Sequence, residues 1–287
     1  MMMVNDIFYG NFELEDILSE LINSEPVQRL KNIHQGGAIF LVSPHVGHSR
    51  FEHSIGVMLL VRKLGASLEE QIAALLHDVS HTAFSHVIDY VLKHKGEDYH
   101  EQIFEEVIAK STVPTILSKY GFSTSLLEDP MHTLLEMPLP ALCADRIDYT
   151  IRDLYHFGLI DIVEAHDFIN ELGVQDGKIG VQNEKVASWI TNKYLQLNNA
   201  YFRKPEHIFA NTKLAELIAL GLEKGILILS DLWKDDSAVL SIIKTDPDLN
   251  SELEKIINLE GFESFSESRA GKIFKERVLK PMVIGST

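Results

Sequence analysis

Cysteine is nearly absent from this sequence: a single residue, Cys143, in 287. A lone thiol closes no internal disulfide, so the expected setting is a reducing cytoplasm and the fold must rest on its apolar core. A chain of this length buries enough surface to do without disulfides or a structural metal. Long hydrophobic runs are missing too. The most apolar stretch, Ile55 to Leu64, is interrupted by Arg62 and Lys63 and falls short of the roughly 20 residues that span a bilayer, so no membrane association is expected. The opening MMMVNDIFYGNFELEDILSEL has neither a basic start nor a clean apolar core, which argues against a signal or transit peptide. Positive charge is in deficit, with 26 Lys+Arg against 42 Asp+Glu and a formal net charge of -16. That balance excludes a duplex-binding surface that works by phosphate neutralisation. Any anionic ligand has to be met locally, by a metal ion or a few arginines.

What is present is helical periodicity. Leu14, Ile17, Leu18, Leu21 and Ile22 recur at spacings of three and four within Glu13 to Ile22, and Ile72, Ala73, Leu75 and Leu76 do so within Glu69 to Leu76, as in helices packed on one core. Ser67 with Glu70 reads as a capping box for the second helix, whose far end arrives at His77-Asp78. Two stretches break the pattern. Gly36-Gly37 followed by Ala38 to Val42 suits a turn and a brief strand, and Gly173 to Val181, with Asp176-Gly177 at its centre, suits a hairpin. Helices resume from Glu184 to Thr287, and no linker, low-complexity tract or internal repeat marks a second domain. The expectation is an all-α single domain over 1–287, with a core over about 25–170, one or two small β-hairpins, and a helical extension over about 184–287.

Nine of the thirteen histidines fall between His34 and His100. The segment from Leu75 to His81 sets an imidazole beside a carboxylate directly after an apolar helical run, where a charged group must be paired or bound to a metal. His53 and Asp145 supply two further donors at helix-compatible positions. Two His and two Asp suit one divalent ion, among Fe, Mn, Co, Ni, Zn and Mg, with positions left for water and a substrate oxygen. The bland alternative for His77-Asp78 taken alone is a helix-end histidine capped by its neighbour.

A histidine, a histidine-aspartate pair and a distant aspartate, here His53, His77-Asp78 and Asp145, resemble the pattern of HD-domain metal-dependent phosphohydrolases. The surrounding segments His48 to Val57, His77 to His86 and Asp145 to Tyr149 are similar to the deoxynucleoside triphosphate triphosphohydrolase branch, over roughly residues 25–210. The resemblance implies an HD-domain helical bundle in which His53, His77, Asp78 and Asp145 hold the metal and His86, Asp89 and His100 form the catalytic group. His86 and Asp89, three residues apart, can share a helix face on which the carboxylate orients the imidazole. The resemblance places Arg50, Arg146 and Lys193 at phosphate, Tyr149 against a deoxyribose, Asp153 at its 3'-hydroxyl, and Gln35 in the sugar region. Asp145, Tyr149 and Arg152, like Arg146, Tyr149 and Asp153, have spacings that could turn their side chains toward one cleft.

This chain departs from those relatives in two places. Lys193 stands where they have an arginine, and their Tyr-x-His-Lys is Tyr201-Phe202-Arg203-Lys204, with Tyr201 kept in the substrate region. Longer members carry a C-terminal region tied to oligomer contacts and nucleotide activation. Its shortness here leads us to expect activity without an activating nucleotide and leaves a homo-oligomer as an allowed assembly. The expected reaction converts a deoxynucleoside triphosphate to the deoxynucleoside and inorganic triphosphate. The alternatives are an HD-type nucleotidase or phosphodiesterase acting on another small phosphoester, and a non-catalytic nucleotide-sensing or partner-binding module.

Overall fold

The computed structural model describes residues 2–94, 96, 98–128, 130–269 and 278–285. The fold is all-α, with 15 α-helices and only short strands among the described residues. It is organised around the helix Arg50–Lys63, which is buried continuously from His53 to Val61. Apolar residues on every side of a helix mean that it is surrounded, and this one packs on Leu68–Leu76 and on Ala144–His156. A full capping box starts it: Ser49 Oγ accepts from the Glu52 amide at 3.3 Å, and Glu52 accepts from the Ser49 amide at 2.7 Å. Gly56 lets the Ala144–His156 helix approach, because a Cβ there would stand 2.0 Å from Asp148 Oδ2 and 2.2 Å from an Arg152 nitrogen.

Four local expectations need correction. The Ser67–Glu70 box is only half formed: Ser67 Oγ accepts from the Glu70 amide, but the Glu70 carboxylate accepts instead from the amides of Leu134 and Leu135 at 2.8 and 3.0 Å. Ala38 to Val42 is not a strand, since Ile39–Val42 is a short helix. Gly37 turns the chain at φ +67° against the Phe84 carbonyl, and the Ala38 amide donates to Asn211 Oδ1 at 2.7 Å. With no strand edge to pair with, the segment closes its own hydrogen bonds. At the N-terminus, Leu14 belongs to an antiparallel hairpin, Met2–Asp6 with Gly10–Leu14, and the helix begins only at Asp16. Cross-strand pairing of Leu14 with Met2 overrides the helical spacing there.

The Asp176-Gly177 hairpin forms as expected, Leu172–Gln175 pairing with Lys178–Val181 and both turn residues in the left-handed region. The fourth correction lies in the extension, which is not wholly helical: Met282–Val283 adds to this hairpin as a third, parallel strand.

The helices of 205–257 are not set apart from the rest. Phe84, Val87 and Ile88, just beyond the His77-Asp78 pair, share one buried cluster with Ala38, Leu41, Leu214, Ile218, Leu249 and Leu253. No helix among the described residues is long and apolar enough to cross a membrane.

Candidate metal centre

The Leu68–Leu76 helix stops at His77, its C-cap, and the following loop carries Asp78, His81 and His86 before Val87–Val91 begins. The end of this helix, the first turn of Arg50–Lys63 and the first turn of Ala144–His156 meet at one point. His53 Nε2 lies 3.0 Å from Asp145 Oδ1, 3.3 Å from His77 Nε2 and 3.8 Å from Asp78 Oδ2. His77 Nε2 lies 3.5 Å from Asp78 Oδ1 and 3.6 Å from Asp145 Oδ1. Asp145 is the most exposed of the four side chains, at 22 %, so the cluster opens toward solvent on its side.

The outward nitrogens show how this cluster fits a cation. His53 Nδ1 is 2.8 Å from Asp148 Oδ1, and His77 Nδ1 is 2.7 Å from the Ala74 carbonyl. Both acceptors demand an N–H from Nδ1, which leaves each neutral ring with a bare lone pair on Nε2. Two lone pairs facing each other at 3.3 Å repel unless a proton or a metal ion lies between them, and the acceptors that fix these tautomers are the usual partners of metal-bound histidines. Asp148 is itself held by Arg152 Nη2 at 2.8 Å and the Tyr9 hydroxyl at 2.9 Å. Asp78 is held by Arg50 Nη1 at 2.6 Å.

Electrostatics agree with a site built for positive charge. Burial disfavours the His53 imidazolium, but hydrogen bonds to Asp145 and Asp148 and the field of Asp78 outweigh it and carry its pKa up to about 10. Burial likewise opposes ionisation of Asp145, and the two histidines override it, holding the carboxyl well below its usual range. Without a metal, a proton on the imidazoles balances the carboxylates.

A second group adjoins the first. His81 Nε2 lies 3.3 Å from Asp78 Oδ1, its ring stacks on His100 at 3.8 Å, and His86 packs edge-on to both. One ring nitrogen from each of these three histidines falls within 4.8 Å of the others. Burial, Arg50 and His100 hold His81 far below the usual imidazole value; burial, His86 and Arg50 bring His100 down to about 3. Both stacked rings are therefore neutral. Asp89 Oδ2 accepts from His86 Nδ1 at 3.1 Å, and its Oδ1 accepts from the Tyr99 amide at 3.2 Å, tying His86 to the start of the His100 helix.

The expected phosphate contacts are arranged differently. Arg50 has two of its three nitrogens committed, Nη1 to Asp78 and Nε to Ser85 Oγ. Arg146 Nη1 donates to the carbonyls of Met137 and Ala141, and Lys193 donates to the Leu159 carbonyl and lies 3.5 Å from Glu164. Arg152 pairs with Asp148 and Asp6 in the interior. The Ala144–His156 helix thus does not turn all of these side chains into one cleft. Its Asp145, Tyr149 and Asp153 do follow a single i, i+4, i+8 ridge.

At the far end of that ridge is a set of buried polar atoms without hydrogen-bond partners: Gln35 Oε1, His48 Nδ1 and Nε2, Asp153 Oδ1 and the Tyr201 hydroxyl. They are neighbours. His48 Nε2 is 2.9 Å from Asp153 Oδ1 but misaligned for a hydrogen bond, the Gln35 backbone amide donates to the His48 carbonyl, and the Tyr201 hydroxyl lies against Gly36, 2.7 Å from where a Cβ would stand. Tyr149, one turn before Asp153 on the same helix, has its hydroxyl 3.3 Å from that of Tyr194 and its ring edge-on to Phe202.

The HD-domain family model matches residues 50–153, the span that holds every member of the metal cluster. The chain is 36% identical over 247 residues to the metal-dependent phosphohydrolase cns2 of Cordyceps militaris, covering 82% of this chain and 71% of that one. It belongs to the HD-domain metal-dependent phosphohydrolases. It is also 45% identical over 260 residues to the uncharacterized protein YdhJ of Bacillus subtilis, covering 90% and 78% of the two chains. It is 28% identical over 221 residues to the deoxynucleoside triphosphate triphosphohydrolase SAMHD1 of Homo sapiens, spanning 59% of this chain and only 35% of that protein.

Three members of this HD-domain site escaped the sequence reading. His81 carries a signal, four residues after His77. Asp148 carries a weaker one, three residues after Asp145. Nothing in the sequence marks His48 as the neighbour of Asp153, 105 positions away.

Proposed function

We propose that this phosphohydrolase acts on deoxynucleoside triphosphates, releasing the deoxynucleoside and inorganic triphosphate. The observation that carries the reading is the unpaired set at Gln35, His48, Asp153 and Tyr201. A buried polar atom without a partner costs about 1–3 kcal/mol, so several together, gathered around Asp153 on the helix that bears Asp145, call for a ligand that supplies donors and acceptors. A sugar hydroxyl does both: it can donate to Asp153 and accept from the Tyr201 hydroxyl. Tyr149, one turn before Asp153 on the same helix, would on this reading face the sugar and leave a 2'-hydroxyl without room or a partner. The similarity to SAMHD1 supports the same substrate class.

When bound in the cluster, a divalent ion supplies Lewis-acid polarisation of a phosphoryl oxygen and a water that ionises near neutral pH. The chain supplies the rest. His53 and His77 offer lone pairs fixed by Asp148 and the Ala74 carbonyl. His86, half exposed and held through Nδ1 by Asp89, keeps Nε2 available to give or take a proton. The neutral His81 and His100 rings wall the space between His86 and Asp78.

A nucleotidase or phosphodiesterase reading is favoured by one specific feature: Arg146 and Lys193 are engaged by carbonyls instead of facing the metal cluster, which leaves little cationic grip for a triphosphate. Chromatography of the products from each common deoxynucleotide and ribonucleotide with Mn2+ separates the two. Triphosphate and deoxynucleoside from dATP, with little turnover of ATP, support the proposal. Orthophosphate release, with ATP consumed as fast as dATP, overturns it.

A further inference from the structure

The loop that follows His77-Asp78 holds an unusual backbone. Phe84 and Ser85, neither of them glycine, both take positive φ, at 60° and 55°. Two adjacent side-chain-bearing residues in the left-handed region persist only where their surroundings fix them. The fixing group comes from the C-terminal helices. Asp236 is 1 % exposed, and its Oδ1 accepts from the Phe84 amide at 2.6 Å. Its Oδ2 accepts from the His34 amide at 2.9 Å and from His34 Nδ1 at 2.7 Å. Asp236 is not needed as a helix cap, because its neighbour Asp235 caps that helix through the Ala238 amide.

From this clamp a chain of buried hydrogen bonds runs to the metal cluster. Ser85 Oγ donates to the His34 carbonyl at 2.7 Å and accepts from Arg50 Nε at 2.7 Å. Arg50 Nη1 donates to Asp78 Oδ2 at 2.6 Å. Asp78 therefore has its carboxylate aimed by Arg50, Arg50 by Ser85, and Ser85 by a strained turn that Asp236 holds against His34.

We propose that Asp236 is a positioning residue of the metal centre, acting on the metal ligand Asp78 through Ser85 and Arg50, so that the C-terminal helices complete the site without touching the ion. The inference concerns ligand geometry and holds whichever phosphoester is the substrate. It requires three acceptor contacts from one carboxylate. An asparagine has nearly the same volume, but its amide nitrogen would face either the Phe84 or the His34 backbone N–H, and neither can become an acceptor.

The test is Mn2+ affinity of the full chain, measured from the electron paramagnetic resonance signal of the free ion, which needs no substrate. Partners that orient metal ligands typically contribute about 10–100-fold in affinity, so Asp236→Asn and Ser85→Ala should each weaken Mn2+ binding by about tenfold or more. Because both lie on one chain of contacts, the double variant should be no weaker than the worse single variant. Asp246→Ala, which removes the cap of the neighbouring helix Pro247–Ile257, should lower stability and leave Mn2+ affinity within twofold of wild type. Wild-type affinity in Asp236→Asn overturns the proposal, as do multiplying losses in the double variant or an equal loss in Asp246→Ala. Should Asp236→Asn fail to fold, Ser85→Ala decides alone: normal affinity in that folded variant overturns the proposal. A wrong substrate assignment would leave every one of these affinities unchanged.

Discussion

The two ends of the Asp145–Asp153 ridge are built on opposite terms. At the Asp145 end three of the four cluster side chains have a partner outside the cluster that aims them: Asp148 for His53, the Ala74 carbonyl for His77, Arg50 for Asp78. At the Asp153 end, Gln35, His48 and Tyr201 bring buried polar atoms to the same place and leave them unsatisfied. The first end is a cage whose geometry exists before anything binds. The second is a cluster of buried polar atoms without partners, and under the proposed function it is the substrate's hydrogen-bonding groups that complete it.

The largest effect should come from opening the cage. His77→Ala is expected to remove the metal and, with it, more than a thousandfold of turnover, about 4 kcal/mol of transition-state stabilisation; metal analysis and rate measurement check it. Asp78→Ala should do the same and also destabilise the fold by about 3–5 kcal/mol, because the buried Arg50 loses its counter-charge. Full metal occupancy in either variant would break the assignment.

Protons compete for the same cage. His53 in the metal-free chain keeps its proton up to about pH 10, so metal binding below that pH releases it. Mn2+ affinity should therefore rise about tenfold per pH unit between pH 6 and 8. In the metal-free chain the sign is opposite for stability. The raised His53 pKa contributes stability that is complete below the unfolded value of about 6.5 and is lost as pH rises through about 10. An Mn2+ affinity that is flat with pH would remove His53 from the cage.

The Asp153 end should respond in the other direction. Tyr201→Phe deletes a buried hydroxyl with no partner, so denaturant unfolding should show unchanged or higher stability, by up to about 1 kcal/mol, while KM for a deoxynucleotide rises about tenfold. A loss of stability without a change in KM would make Tyr201 an ordinary core residue. Smallest is the sugar preference: Tyr149→Ala should narrow the ratio of dATP to ATP turnover by roughly tenfold, within the span of discrimination that one buried hydroxyl contact provides.

Much of this was legible in the residues. The helical spacing of the Leu68–Leu76 region, the Asp176-Gly177 turn and the four metal-site candidates are local patterns of residue type. The structure brings the donor atoms of His53, His77, Asp78 and Asp145 together. What stayed hidden depended on distant partners. The Ala38 to Val42 segment reads as a strand until Asn211 caps it, Leu14 reads as helical until Met2 pairs with it, and Arg146 and Arg152 read as cleft residues until carbonyls and buried carboxylates claim them.

By itself the sequence determined the all-α class, the histidine-rich segment and the chemical kind of donor, because periodicity and residue type are properties of neighbouring positions. The tertiary structure decided where each donor points. His53 is oriented from 95 residues away by Asp148, and the turn behind Asp78 is held from 152 residues away by Asp236. Such contacts are set by how helices pack and by which buried polar groups must find partners, and neither is written in any local stretch of the chain.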